Sequence, residues 1–168
     1  LLDEGVHGAD LLAWLFGIPE SVTAVVSSAA LGLPVEDLGI ATFTFPSGLV
    51  AELTASFGFA AADVSIELYG TEGTVLVAGV DLASRDITHD GYVRRFRSDQ
   101  SERRWQVVPG TPRFKLGAFH EQNAAVFRDC LEHGTPPPVS IDDGVRAFRM
   151  IDAAYEAART GRRQRITR

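Results

Sequence analysis

Three ionisable side chains, Asp3, His7 and Asp10, stand within the first ten residues of this 168-residue chain. Asp3 and His7 are four residues apart, His7 and Asp10 are three apart, and residues at these spacings are neighbours on one face of a helix. An imidazole gains and loses its charge near neutral pH, and a neighbouring carboxylate can orient it and tune that charge. The spacing therefore indicates a constellation suited to proton transfer.

Three other interpretations of these residues are open at this point. In the first, Asp3 caps the helix, His7 is satisfied at an interface and Asp10 bonds to the backbone. In the second, the residues bind a metal. We expect no metal site, because the other histidines are scattered and neither His-Glu-x-x-His nor Cys-x-x-Cys occurs. The third is a free-standing hydrolase or lyase, which the lack of a Gly-x-Ser-x-Gly motif disfavours.

The periodicity of the apolar residues predicts three helices. The first runs from about Gly5 to Phe16, with Asp3 available as its cap and Gly17 as its stop. The second spans 118–132 and the third 142–160. The residues expected on the apolar faces are Phe119, Ala124, Phe127 and Leu131 in the second helix, and Val145, Phe148, Ile151, Ala154, Tyr155 and Ala158 in the third.

The middle of the chain alternates with the period of two that is typical of strands. The segments with this pattern are 21–28, 40–45, 49–59, 64–69, 74–77, 92–96 and 105–108, and a short terminal strand is expected near 165–167. Turn residues at 46–48 and 70–73 join consecutive strands into hairpins. This order predicts one α+β domain over 1–168, a mostly antiparallel open sheet with the helices on one face. The other face is then free for a substrate or a second subunit.

Composition and charge exclude several classes of protein. The net charge of −6 disfavours a nucleic-acid or anionic-membrane binder. No apolar stretch approaches the ~20 residues that span a bilayer. The single cysteine, Cys130, excludes an intramolecular disulfide and fits a reducing compartment, so we expect a cytoplasmic protein.

With its elements in this order, the chain resembles the C-terminal domain of the Gfo/Idh/MocA family, the NAD(P)-dependent oxidoreductases named for glucose–fructose oxidoreductase and inositol dehydrogenase. Residues 3–10 and 14–17 look like the family's Asp-x-x-x-His-x-x-Asp helix and its Trp-Leu-x-Gly ending. The turn at 70–74 is similar to the family's Gly-Thr-x-Gly turn, and 142–161 resembles its closing helix. Arg113-Phe114 and Glu121 resemble a segment of inositol-dehydrogenase-like members, with Ala118 where those members carry a tyrosine.

The resemblance implies a reaction and assigns roles to residues. The substrate is a sugar, a polyol or a related alcohol, His7 is the general base and Asp3 supports it. Asp10, Arg113, His120 and Glu121 are expected to bind the substrate.

It also implies a second domain. The cofactor, NAD or NADP, is bound mainly by an N-terminal Rossmann domain that this chain lacks, together with the family's lysine. No Gly-x-Gly-x-x-Gly follows a strand here. The chain alone is therefore expected to be inactive, and to form a homo-oligomer through its sheet face. The alternative is a non-catalytic oligomerisation or interaction module.

Overall fold

The computed structural model of the chain describes residues 1–59, 64–78, 92–109 and 118–167. Contacts between residues separate the chain into two compact units, the first of Leu1–Ala60 with Pro136–Arg168 and the second of Ala61–Thr135. The first unit contains α1 (Leu2–Phe16), β1 (Ser21–Ser27), β2 (Leu38–Thr44), β3 (Val50–Ser56), α3 (Ile141–Thr160) and β8 (Gln164–Arg165). The second contains β4 (Val64–Gly70), β5 (Gly73–Ala78), β6 (Tyr92–Arg97), β7 (Gln106–Val108) and α2 (Ala118–His133).

The sheet of the first unit is antiparallel, with the strand order β3-β2-β1-β8. The predicted turn at 46–48 joins β2 to β3. Gly48 takes a φ of 87°, which glycine adopts without steric cost. Val22 on β1 lies opposite Phe43 on β2, and both are buried on the face that the helices cover. Phe45 follows them into the core at the end of β2.

Helices α1 and α3 pack against each other and against this sheet, α1 over β3 and α3 over β1. Small residues bring α1 close to the strands, since a Cβ added to Gly8 would lie 2.4 Å from Cδ1 of Leu53. Gly5 and Ala9 are buried on the same side of the helix. The predicted stop of α1 is confirmed, because the N–H of Gly17 donates to the Ala13 carbonyl at 2.9 Å.

Two details of the predicted helices are wrong. Helix α1 begins at Leu2 rather than near Gly5, so Asp3 lies inside the first turn and does not cap the helix. In α3 the buried residues are Ala147, Met150, Ile151, Ala154 and Ala157. Val145 and Phe148, expected in the core, are exposed. Ile151 and Ala154 were predicted correctly, whereas Ala147, Met150 and Ala157 were not, because a periodicity judged mainly on large apolar residues overlooks alanines, which allow close packing of a helix.

The second unit holds the second antiparallel sheet, in the order β4-β5-β6-β7. Its first hairpin turns at 70–73, as predicted. Gly73 passes so close to the neighbouring strand that an added Cβ would lie 2.1 Å from the carbonyl oxygen of Phe96. On α2, Phe127 and Leu131 are exposed, although the pattern placed them on a packing face.

The predicted α+β class with antiparallel pairing is confirmed. The strands divide between two sheets, whereas the pattern predicted one. Turn residues such as those at 46–48 and 70–73 predict only which two strands pair within one hairpin. The sequence between β3 and β4 has no such turn pattern, so it does not predict whether these two strands pair. Among the described helices, none is both long and apolar enough to cross a bilayer.

Candidate functional site

The candidate site is the outer face of α1. Because successive helical residues turn by about 100°, Asp3, His7 and Asp10 share one face, opposite the glycines that meet the sheet. Asp3 and His7 are exposed and Asp10 is half-buried. The structure therefore brings these three residues of the sequence prediction together on one solvent-facing surface.

The three side chains are not engaged elsewhere in the part of the chain that the structure describes. No hydrogen bond or ion pair there joins Asp3, His7 or Asp10 to another residue. The N-cap position belongs to Leu1, which makes no side-chain cap hydrogen bond. Asp3 therefore does not cap the helix, although its sequence position suggested that role. It lies one helical turn before His7.

One distant residue contacts the start of α1. The Leu2 N–H donates to the Tyr155 hydroxyl at 3.0 Å. The Tyr155 hydroxyl in turn donates to a carboxylate oxygen of Glu36. Burial and the bond to Glu36 raise the pKa of Tyr155, so its hydroxyl keeps its proton at neutral pH.

Trp14 extends the face beyond the residues that sequence reasoning assigned to the site. It lies four residues after Asp10 and seven after His7, and 79% of its surface is exposed. In the sequence it was recognised only within residues 14–17, the segment that resembles the family's Trp-Leu-x-Gly ending. The signal that marks it is its spacing, since residues 3, 7, 10 and 14 follow one helical stripe.

The remaining predicted substrate contacts belong to other segments of the chain. His120 and Glu121 are on the first turn of α2, in the second unit, and both are exposed. Arg113 falls outside the described residues. The structure therefore gathers Asp10 with His7 and Asp3, and leaves the other three predicted contacts as predictions.

The described residues do not fit the diphosphate of a nicotinamide cofactor. Such a diphosphate needs a glycine-rich turn from a strand into the N-terminus of a helix. The turn at Gly70–Gly73 joins β4 to β5, two antiparallel strands, and Gly5 and Gly8 are used to pack α1 on its sheet. Within the described ranges, no group of three or more histidine, cysteine or acidic residues is placed to hold a metal ion.

Several known proteins are similar to this chain in sequence or in fold. The chain is 27% identical to 1,5-anhydro-D-fructose reductase of Ensifer adhaerens, over 99% of this chain and 47% of that protein. It is 24% identical to D-apiose dehydrogenase of Paraburkholderia graminis, over 95% of this chain and 43% of that protein. The chain thus spans about half the length of the curated relatives that it matches.

A solved structure of levoglucosan dehydrogenase, in complex with NADH and L-sorbose, superimposes with a TM-score of 0.77 at 22% identity. The match covers 99% of this chain and 49% of that one, and it concerns the fold. Residues 1–166 match the family model described as "Oxidoreductase family, C-terminal alpha/beta domain". The recognised motifs, the α+β architecture and this match together show that the chain belongs to the Gfo/Idh/MocA oxidoreductase family, as its C-terminal domain.

Proposed function

We propose that this chain is the substrate-binding half of an NAD(P)-dependent oxidoreductase that moves a hydride between a nicotinamide cofactor and a sugar, polyol or related alcohol. The observation that carries the proposal is the outward-facing stripe of α1, where an imidazole lies between two carboxylates that no other described residue engages. The relatives named as a fructose-derivative reductase and an apiose dehydrogenase support the choice of a sugar.

In this proposal His7 accepts the hydroxyl proton when the alcohol is oxidised, and returns it when the carbonyl is reduced. Asp3 orients the imidazole and stabilises its charged form. Asp10 accepts hydrogen bonds from substrate hydroxyls. Arg113, His120 and Glu121 are proposed as further substrate contacts, supplied by other segments of the chain.

The first prediction tests His7 in the longer protein, with the chain joined to the domain that we propose precedes it. We expect His7→Ala to lower kcat by roughly 10²–10⁴-fold, the range for loss of a general base. Asp3→Asn should cause a smaller loss. The assays are reduction of 1,5-anhydro-D-fructose and oxidation of D-apiose, with rates normalised to folded protein. NAD(P) affinity should stay near that of the wild type, because the cofactor phosphates are bound elsewhere.

The matched control is His133→Ala, which removes an exposed histidine whose ring bonds to its own helix at the Asp129 carbonyl. That variant should keep wild-type kcat. If His7→Ala also keeps it, with only stability reduced, the general-base assignment is wrong and a structural role for the face replaces it.

The second prediction concerns the chain by itself. We propose that the cofactor is bound by a separate N-terminal domain, because the described residues offer no turn suited to its phosphates. The isolated 168-residue chain should then neither bind NADH in the micromolar range nor turn over sugars. Titration calorimetry with NADH and with NADPH measures this directly. Micromolar binding to the isolated chain would contradict it.

We propose further that copies of the chain associate through the outer face of the first sheet. Val25 and Ile40 lie opposite each other on that face, both exposed, with Thr23 opposite Thr42 beside them. An uncovered face of β-branched side chains favours association, because burying it removes apolar surface from water. If the same face only assembles subunits and the His7 variant stays active, the chain is an interaction module instead.

A further inference from the structure

Strand β1 has a partner strand along the whole of one side and along only part of the other. On the first side it pairs with β2 at every position from Ser21 to Ser27. On the second side β8 pairs with it at Ser21 and Val22 only. In the part of the chain that the structure describes, the backbone of Thr23–Ser27 therefore has no strand beside it on that side. We call this segment the open edge of β1.

Strand β8 does not extend over the open edge, because the two strands are antiparallel. Arg165 lies opposite Ser21, so the chain beyond β8 continues away from Thr23. On the other side of β8 the chain comes out of α3 through a turn at Gly161, whose φ is 64°. A direct continuation of β8 would thus leave the open edge uncovered.

The open edge lacks the features with which edge strands usually discourage another strand, which are proline, charged side chains and bulges. Its sequence is Thr-Ala-Val-Val-Ser, with neither a charge nor a proline. Its register with β2 is unbroken. Val25 and Val26 are 68% and 37% exposed. The edge therefore has the uncharged, β-branched composition that suits the addition of a further strand.

A groove of about 310 Å³ lies at the open edge. It is lined by Thr23–Val25 of β1 and by Ala157, Gly161 and Arg162 at the end of α3, together with Ile40 and Thr42 of β2. Alanine and glycine leave space beside the strand, and the arginine brings a positive charge to that space.

Arg162 is one of three exposed arginines near the end of the chain, the others being Arg163 and Arg165. Within the described ranges, no ion pair joins any of the three to a carboxylate, whereas the neighbouring Arg159 is paired with Glu156 at 2.6 Å. The whole chain carries a net charge of −6, so these arginines form a local excess of positive charge in an acidic protein. Such an excess favours a negatively charged partner.

We propose that the open edge of β1 binds an extended acidic segment of a partner protein, which adds to the first sheet as a strand. Main-chain hydrogen bonds to Thr23–Ser27 supply affinity, and carboxylates of the segment pair with Arg162 and Arg163. A nucleic acid would also attract the arginines, but it has no peptide groups to bond with the edge. The inference does not depend on the proposed function, because none of these residues belongs to the outer face of α1.

The test uses the longer protein and a capped peptide of alternating glutamate and valine, about eight residues long, which is within the usual length of a strand. We expect titration calorimetry to show binding that weakens as salt is added. Amide exchange of residues 23–27 should slow in the complex, because their outward N–H groups gain acceptors. A peptide of the same charge with proline in place of valine should bind at least about 10-fold more weakly, since proline cannot donate to a ladder.

Two matched double variants test the charge. Arg162→Glu with Arg163→Glu should weaken binding by roughly 10-fold, because two attractive contacts become repulsive. A peptide with lysine in place of glutamate should bind this variant better than it binds the wild type. The control is Arg103→Glu with Arg104→Glu, which changes two neighbouring exposed arginines that do not line the groove. It should keep the affinity near that of the wild type.

Equal binding of the valine and proline peptides, or unchanged exchange of residues 23–27, would overturn the added strand and leave only adsorption to the arginines. No binding to the longer protein at millimolar peptide would also overturn the proposal. Slow exchange of 23–27 without peptide, increasing with protein concentration, would show that a second copy covers the edge instead. If the double variant at 162 and 163 does not fold, the comparison of the two peptides on the wild type decides. An inactive His7→Ala that still binds the peptide would support the proposed function and this inference separately.

Discussion

At the scale of single residues, the absence of side chains matters as much as their presence. Gly5 and Gly8 allow α1 to lie against Leu53 and Ala55, and this contact sets the rotation of the helix. Asp3 and His7 therefore face away from the sheet. Gly5 and Gly8 thus affect the candidate site indirectly, because they determine which side of α1 remains exposed.

The third prediction concerns the glycine turn between β4 and β5. Gly73→Ala should destabilise the protein by roughly 1–3 kcal/mol, the usual cost of forcing extra atoms into a packed site. The reason is that its Cβ would meet the backbone carbonyl of Phe96, which cannot rotate away. The control is Gly70→Ala in the same turn, whose Cβ would have an ordinary contact of 3.6 Å. Urea unfolding measures both, and equal losses would contradict the steric explanation.

At the scale of elements, helix α3 of the first unit carries a local cap. This is a capping box, in which the Asp143 N–H donates to the Ser140 hydroxyl oxygen and the Asp143 carboxylate accepts from the Ser140 N–H. Such a cap can be recognised in a sequence within four residues, whereas the contact of the Leu2 N–H with the distant Tyr155 hydroxyl can be seen only in the folded chain.

The fourth prediction uses this capping box. Ser140→Ala should cost about 1 kcal/mol, as is typical for loss of an N-cap side chain. The bonds from the Ser140 backbone and hydroxyl, with the Arg146 charge nearby, hold the pKa of Asp143 below its usual 3.8. A lowered pKa in the folded state means that this carboxylate stabilises the protein above pH 3.8. The contribution is lost as pH falls through the lower, folded value.

The measurement is the free energy of unfolding of the wild type and of Asp143→Asn between about pH 2 and pH 6, a span that brackets the usual pKa of aspartate. The difference between the two proteins should shrink toward the acidic end. Asp142→Asn is the control, since it removes a charge from the same turn without touching the box. If Asp142→Asn shows the same pH dependence, the general charge of the helix N-terminus and not the box is responsible.

At the scale of the whole molecule, the first sheet has one face covered by helices and one uncovered. The outward residues of its three long strands include Thr23, Val25, Ile40, Thr42, Val50 and Thr54, with Glu52 as the charged member. A face with this many β-branched residues and a single charge is more typical of a sheet that packs against another protein surface than of one exposed only to solvent. It supports the proposed homo-oligomer.

The fifth prediction is that Val25→Lys dissociates this oligomer. Val25 is 68% exposed on this face, opposite Ile40, and burying a lysine there without a partner is costly. Val107→Lys on the other sheet is the control, because Val107 is similarly exposed, at 65%. Analytical ultracentrifugation should show a lower mass for Val25→Lys alone. A wild-type protein that stays monomeric at high concentration would contradict the proposed homo-oligomer.

Much of the fold and part of the site could be predicted from the sequence alone. The three helices, the hairpins at 46–48 and 70–73 and the shared face of Asp3, His7 and Asp10 depend on residues within a few positions of one another. Nearest-neighbour geometry determines such features: the helical turn, the alternation of strands and the φ of a turn glycine. The family resemblance adds the chemistry that this spacing permits.

Only the tertiary structure decided the remaining features. Asp3 was available as a cap, but it lies inside the first turn of α1, and the Leu2 N–H donates to the hydroxyl of Tyr155, 153 residues away. The sequence predicted Val145 and Phe148 in the core, but both are exposed. The face of α3 that is buried instead includes Ala147, Ala154 and Ala157, whose small side chains allow closer packing. The division of the strands into two sheets likewise depends on contacts between distant segments. In each case the local sequence permits more than one arrangement, and contacts between residues far apart in the sequence select one of them.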